Sequence, residues 1–140
     1  MPTVPALGRA AVFAGVVVFL FGQAFDTYWH ARNVSFVPEP PRELWKIHLG
    51  IYLGAAMLTA LGAWLLTRPG LRIAGLLMLV GGGAQLLGFG WDMYLHGQGR
   101  SREIWHDLLW YGFAVAVLGV VRLEALMRRQ PVVANMQNAG

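Results

Sequence analysis

Four long apolar stretches alternate with short polar segments along the chain. They run from about residue 7 to 30, 44 to 67, 71 to 96 and 104 to 127. Each approaches or reaches the roughly 20 residues that an α-helix needs to cross a bilayer. Segments such as "GVVVFLFG" are apolar on every side, whereas a helix on the surface of a soluble bundle keeps a polar face. The pattern therefore predicts an all-α integral membrane protein with four transmembrane helices.

The four helices and their short connections predict a single transmembrane domain over residues 1–128. The chain then ends in "RQPVVANMQNAG", residues 129–140. The last residues of a chain are poorly ordered unless they are tied down. We therefore expect a flexible tail there.

The two halves of the chain share a pattern of identical residues. At an offset of 66 positions, Gly15, Gly22, Asp26, Tyr28 and His30 fall on Gly81, Gly88, Asp92, Tyr94 and His96. At an offset of 60, "RELW" falls on "REIW". This predicts two helix-loop-helix repeats, 7–67 and 71–127. Because each repeat has two spans, the copies should be parallel, related by an axis along the membrane normal.

Charged residues suggest an orientation for the bundle. Both termini and the turn at 67–71 share one side, which carries six arginines, while the loops at 31–43 and 97–103 share the other side with five basic residues. Cytoplasmic segments carry an excess of lysine and arginine. We expect a multi-pass protein of the cytoplasmic (inner) membrane of a prokaryote, with cytoplasmic termini and extracytoplasmic loops.

The chain contains no cysteine, which excludes disulfides, thiolate metal sites and haem-attachment motifs. Its net charge of +4 comes mostly from arginines near helix ends, which set topology, so no nucleic-acid partner is expected. The expected partners are the lipid bilayer and either other membrane subunits or a second copy of the chain.

Histidine and aspartate recur together at one end of the predicted bundle. Asp26 and His30 lie four residues apart and so share a helix face, as do Asp92 and His96. A further histidine follows near the start of the next helix in each repeat. One carboxylate and two imidazoles suit copper(II), zinc or non-haem iron(II). The predicted metal ligands are Asp26, His30 and His48 in the first repeat and Asp92, His96 and His106 in the second.

Other roles are open to these residues. A single histidine at a membrane interface is commonly a hydrated anchor, and a helix-end aspartate commonly pairs with an arginine, here Arg32, Arg42, Arg100 or Arg102. The second set also differs in register. His48 follows its tryptophan by three residues and His106 by one, so their directions differ by about 200° around a helix. Asp107 could then contribute, or Asp92 and His96 could join the first set.

The stretch "DTYWHARNVSFVPEPPRELWKIH" at 26–48 resembles the copper-site segment of the C subunit of the copper membrane monooxygenases, the particulate methane and ammonia monooxygenases. That segment has the form D-x-x-W-H, then a loop of the type S/D-F-x-P, then a histidine opening the next helix. The resemblance implies that Asp26, His30 and His48 are copper ligands. A weaker copy covers 92–106. The family subunit has more than four spans, and its motif is not duplicated.

Together these features predict an integral membrane metal-binding protein, with copper as the expected ion and zinc or non-haem iron as alternatives. It could be a small subunit or relative of a membrane oxidoreductase, and whether it is itself an enzyme stays open. One alternative is a subunit that binds b-type haem or a pigment through paired histidines. Another is a structural or transport subunit without metal. Transport is less well supported, because the ionisable residues cluster at one membrane face and form no polar path across it.

Overall fold

The computed structural model describes residues 4–33, 45–96, 98, 100 and 103–128, without the side chains of His96, Glu103 and His106. Within this part the chain is helical and has no strand. The four helices are α1 (Ala6–Asn33), α2 (Leu49–Leu66), α3 (Arg72–His96) and α4 (Glu103–Arg128). A short helical turn at 45–47 precedes α2. The predicted tail at 129–140 and most of the loop at 31–43 lie outside the described residues.

All four helices are long and apolar enough to cross a membrane, with mean hydropathies between 1.6 and 1.8 over their spans. At most 44% of any span is buried inside the protein, so most of each apolar surface faces outward. Large exposed side chains include Phe21, Leu87 and Tyr111, each at least two-thirds exposed. Such a surface suits lipid contact and not water. The prediction of an all-α protein with four transmembrane helices is confirmed.

The helices pack in chain order, α1 on α2, α2 on α3 and α3 on α4. Side chains also connect the first helix to the last. Phe19 of α1 stacks on Phe113 of α4 with ring centroids 4.2 Å apart. Arg9 near the start of α1 forms an ion pair with Glu124 of α4. The four helices therefore form a closed bundle. The parallel relation between its two hairpins stays a prediction.

A short turn joins α2 to α3. The connection from α2 to α3 contains Pro69 and Gly70, and Gly70 has a φ of 82°. Glycine adopts this left-handed backbone without the steric cost that a Cβ would bring. The Leu71 N–H donates to the Arg68 carbonyl and the Gly75 N–H to the Leu71 carbonyl, which leads the chain into α3. As predicted, this turn joins two spans by only a few residues.

The backbones of α1 and α2 touch at a pair of glycines. A Cβ added to Gly22 would lie 2.5 Å from the backbone of Gly50 and Ile51, and one added to Gly54 would lie 2.5 Å from the nitrogen of Phe19. Small residues allow such contact between membrane helices. The contact lies one helical turn from Asp26, so it sets how closely that residue can approach α2.

Candidate metal centre

The first predicted set of ligands lies at the end of the inner face of α1. The buried residues of this helix are Val12, Gly15, Phe19 and Gly22, at intervals of three or four. Asp26 and His30 continue the same interval and so continue the same face toward the end of the helix. His48 stands directly before α2, with φ −93° and ψ 1°, in a position without a side-chain capping bond. The contact at Gly22 brings the two chain segments together at this level.

The three side chains converge on one point. The Oδ1 atom of Asp26 lies 2.7 Å from Nε2 of His48 and 3.1 Å from Nδ1 of His30. One ligand atom from each of the three lies within 4.8 Å of the others. Ligand atoms bound to one ion at about 2.0–2.2 Å are themselves roughly 3 Å apart. The spacing of Asp26 Oδ1 and His48 Nε2 is close to that of two ligands on a single ion, and His30 offers a third ligand atom within 4.8 Å of them.

These short distances do not form a hydrogen-bond network. Asp26 Oδ1 and His48 Nδ1 are buried and, within the described residues, neither has a hydrogen bond. The approach of His48 Nε2 to Asp26 Oδ1 thus has the distance of a hydrogen bond without its direction. An ion between the three side chains would satisfy the carboxylate oxygen without requiring a directed N–H.

The ring of His30 is oriented by its own helix. Its Nδ1 lies 2.9 Å from the carbonyl oxygen of Asp26. Because a carbonyl oxygen only accepts, Nδ1–H donates in this bond and the lone pair of the neutral ring is on Nε2. Metal-binding histidines commonly donate their second ring N–H in this way, which fixes the tautomer. Nε2 is then the atom of His30 that would bind an ion, and the 3.1 Å approach to Asp26 Oδ1 is made by the protonated Nδ1.

The centre is closed on its inner side and more open toward the end of the bundle. The side chains of His48 and Asp26 are 8% and 14% exposed, whereas that of His30 is 35% exposed. The rings of His48 and Phe89 pack nearly perpendicular to each other, with centroids 4.7 Å apart. A largely buried carboxylate is costly unless a positive charge compensates it. Among the described residues, a protonated histidine or a bound cation could supply this charge.

Arginine pairing was the main competing role for Asp26. Arg32 lies instead over the ring of Tyr28, with its guanidinium carbon 5.0 Å from the ring centroid. Arg42 and Arg102 are outside the described residues, so the prediction that concerns them stays open. Among the contacts that the structure describes, the charged or chargeable groups beside the Asp26 carboxylate are the two histidines.

The second predicted set is described only in part. Asp92 is 2% exposed, so it faces the interior of the bundle. The side chains of His96 and His106 are outside the described residues, and their part in a site stays a prediction. Asp92 is described but does not belong to the group of converging ligand atoms in the first set. Asp107 is exposed on α4.

The two hairpins also differ in helix spacing near these sets. Gly22 faces the backbone of Gly50, whereas a Cβ at its repeat partner Gly88 would meet the side chain of Leu108 at 3.1 Å. At the repeat position where the backbones of α1 and α2 touch, a leucine side chain therefore lies between α3 and α4. This agrees with the difference in histidine register between the two repeats.

Two residues beside the centre were not predicted from the sequence. Phe89 of α3 contacts both His48 and Tyr52, with ring centroids 4.7 and 5.0 Å apart, and forms the inner wall. Tyr52 follows His48 by four residues, and this spacing alone could have placed it beneath the histidine. Phe89 has no such local signal, because its contact depends on how α3 packs against α2.

Comparisons with known proteins do not extend the resemblance. No protein-family model, curated protein or solved structure matches the chain. The likeness to the copper-site segment of the monooxygenase C subunit therefore rests on the motif at 26–48. The function of the centre has to be judged from its donor atoms, their distances and their surroundings.

Proposed function

We propose that this chain is an integral membrane metal-binding protein in which Asp26, His30 and His48 hold one divalent ion. The observation that supports this most is the approach of two imidazoles to a single carboxylate oxygen, at 2.7 and 3.1 Å, without hydrogen bonds to it. Two neutral imidazoles and one carboxylate leave a bound dication with one uncompensated positive charge. The ion would in turn compensate the charge of the buried carboxylate.

Copper is the ion we propose. Two imidazoles and a carboxylate suit copper(II), and the affinity of such sites for divalent first-row metals generally peaks at copper. The resemblance of 26–48 to the monooxygenase copper segment supports the same ion. Zinc and non-haem iron(II) use the same donor atoms and are the alternatives. The donor set excludes a hard-cation site such as that of calcium, which takes six to eight oxygen ligands.

The wider role we propose is that of a small subunit, or relative of a subunit, of a membrane oxidoreductase. Three protein ligands leave a coordination position for water or another small ligand. The greater exposure of His30 indicates that this position would face the end of the bundle and not its core. In the orientation that the arginines favour, that end is extracytoplasmic, in the inner membrane of a prokaryote.

The haem alternative fits the geometry less well. The ring centroids of His30 and His48 are 5.8 Å apart, a separation that two axial ligands could have. However, the Asp26 carboxylate oxygen lies against a nitrogen of both rings, in the space that the plane of a porphyrin would need. A haem or pigment between these histidines would also leave the carboxylate without a ligand role.

Elemental analysis of the purified protein tests the proposal. The parent, His30→Ala, His48→Ala and the control Arg42→Ala would be loaded in parallel with copper(II) or zinc(II), and bound metal would be counted per chain. We expect each histidine variant to lose about one ion relative to the parent and Arg42→Ala to keep it. A rival salt bridge between Asp26 and Arg42, with merely hydrated histidines, leads to no loss in the histidine variants. A parent that binds neither metal would also refute the proposal.

A further inference from the structure

A groove lies between α1 and α4 at the end of the bundle opposite the metal centre. Its volume is about 380 Å³, and it is lined by Phe13, Val120, Val121, Glu124, Ala125 and Arg128. Four of these six side chains are apolar, and Phe13 and Val121 are 45% and 59% exposed. Because both helices are transmembrane spans, the groove opens toward the acyl chains of the bilayer.

The two charged residues of the groove differ in their electrostatic state. Glu124 accepts two hydrogen bonds from Arg9, from Nε at 3.0 Å and from Nη2 at 2.6 Å. This fork-to-fork pairing compensates the carboxylate and engages both of its oxygens. Glu124 lies one turn before Arg128 on α4 and could pair with it, but both of its oxygens already bind Arg9. The groove therefore has a net positive charge at Arg128, which is exposed at the end of the helix.

The dimensions of the groove match one leaflet of a bilayer. From Val120 to Arg128 the helix rises about 12 Å, close to half of the roughly 30 Å hydrocarbon core. With 26 residues, α4 is about 39 Å long, so its last turn reaches the level of the headgroups. An apolar channel of leaflet depth that ends at an arginine has the shape and charge of a phospholipid with a negative headgroup.

We propose that this groove is a binding site for an anionic phospholipid. One acyl chain lies against Phe13, Val120 and Val121, and Arg128 binds the headgroup phosphate. A basic residue near the membrane surface contributes about 1 kcal/mol to the binding of anionic lipid, which corresponds to roughly a fivefold change in affinity. The site does not involve Asp26, His30 or His48, so it can be tested independently of metal binding.

Native mass spectrometry of the full chain tests this site. The detergent-solubilised protein would be titrated with phosphatidylglycerol and with phosphatidylcholine carrying the same acyl chains. We expect the parent to prefer phosphatidylglycerol, Arg128→Gln to bind it about fivefold more weakly, and Arg128→Lys to keep most of the preference. Arg122→Gln is the matched control, because Arg122 is an exposed arginine of the same helix that does not line the groove. It should leave the preference unchanged.

A second variant tests the acyl-chain part of the site. Val121→Trp places a large ring in the groove and should weaken phosphatidylglycerol binding, while circular dichroism confirms that the variant remains helical. Equal binding of the two lipids by the parent overturns the proposal, as would happen if residues 129–140 filled the groove. So does equal weakening by Arg122→Gln and Arg128→Gln, which would indicate general surface attraction. Unchanged binding by a folded Val121→Trp protein also overturns it.

Discussion

The Nε2 atom of His48 lies 2.7 Å from the Oδ1 atom of Asp26, although the residues are 22 positions apart in the sequence. They meet because the backbones of α1 and α2 touch at Gly22 and Gly50, next to both residues. His30, one turn after Asp26, brings a second imidazole nitrogen to within 3.1 Å of the same carboxylate oxygen. Ionisable groups that are kept near the interior of a membrane are candidates for a functional site.

Replacing the shared carboxylate should remove most of the affinity for metal. We expect Asp26→Asn to bind copper(II) at least roughly 100-fold more weakly, since the loss of even an outer-shell partner commonly costs 10–100-fold. Competition against a copper chelator of known affinity measures this change. The matched control is Glu124→Gln, which removes a carboxylate that pairs with Arg9 at the opposite end of the bundle. Equal affinities of the two variants would show that Asp26 is not a ligand.

The glycine contact should be required for both stability and metal binding. In Gly22→Ala the added Cβ meets the backbone of Gly50, which we expect to lower the free energy of unfolding by about 1–3 kcal/mol. The same displacement moves Asp26 away from His48 and should weaken copper binding. Thermal unfolding in detergent and copper titration measure the two effects.

Gly83→Ala is the control for that change. A Cβ at Gly83 meets nothing within 4 Å, so this variant should be neutral or more stable by up to about 1 kcal/mol. If both alanine variants unfold at the temperature of the parent and bind copper equally, the helix contact does not position the site.

The sequence predicts the local features of this protein well. Helix length and apolarity depend on composition within each span, and the pairing of Asp26 with His30 depends only on a spacing of four residues. Both predictions agree with the structure. The convergence of His48 was also predicted, because a short connection brings the start of one membrane helix to the end of the preceding one.

Features that depend on packing between helices were not predictable to the same degree. The helix α2 was expected from residue 44 and begins at Leu49, which leaves His48 outside its regular turns. Phe89 contacts His48 from a helix that is distant in the sequence. The different spacing of the two hairpins depends on whether a glycine or Leu108 faces the neighbouring helix, and repeat alignment alone does not reveal it.

Topology is testable because the chain has no native cysteine. Single cysteines in place of Arg68, in the turn after α2, and Gln98, after α3, are both at exposed positions. In sealed vesicles we expect a membrane-impermeant maleimide to label them from opposite faces, with Gln98→Cys on the extracytoplasmic side. Labelling of both from the same face would contradict four spans.

The second predicted set can be separated from the first by double substitution. If Asp92, His96 and His106 form a site, the variant His96→Ala/His106→Ala should lose one bound ion and retain the ion of the first set. Elemental analysis after copper loading gives the count. A variant that keeps the full metal content of the parent would show that the second set does not bind an ion of its own.

The central claim is that two imidazoles and one carboxylate share a single ion. Pulsed electron paramagnetic resonance of the protein loaded with one equivalent of copper(II) counts the imidazole nitrogens at the metal. We expect two in the parent, and we expect this two-imidazole signal to be lost in His30→Ala and in His48→Ala. Copper signals without imidazole nitrogen in the parent, or with two such nitrogens in both variants, would contradict the assignment of Asp26, His30 and His48 as the metal centre.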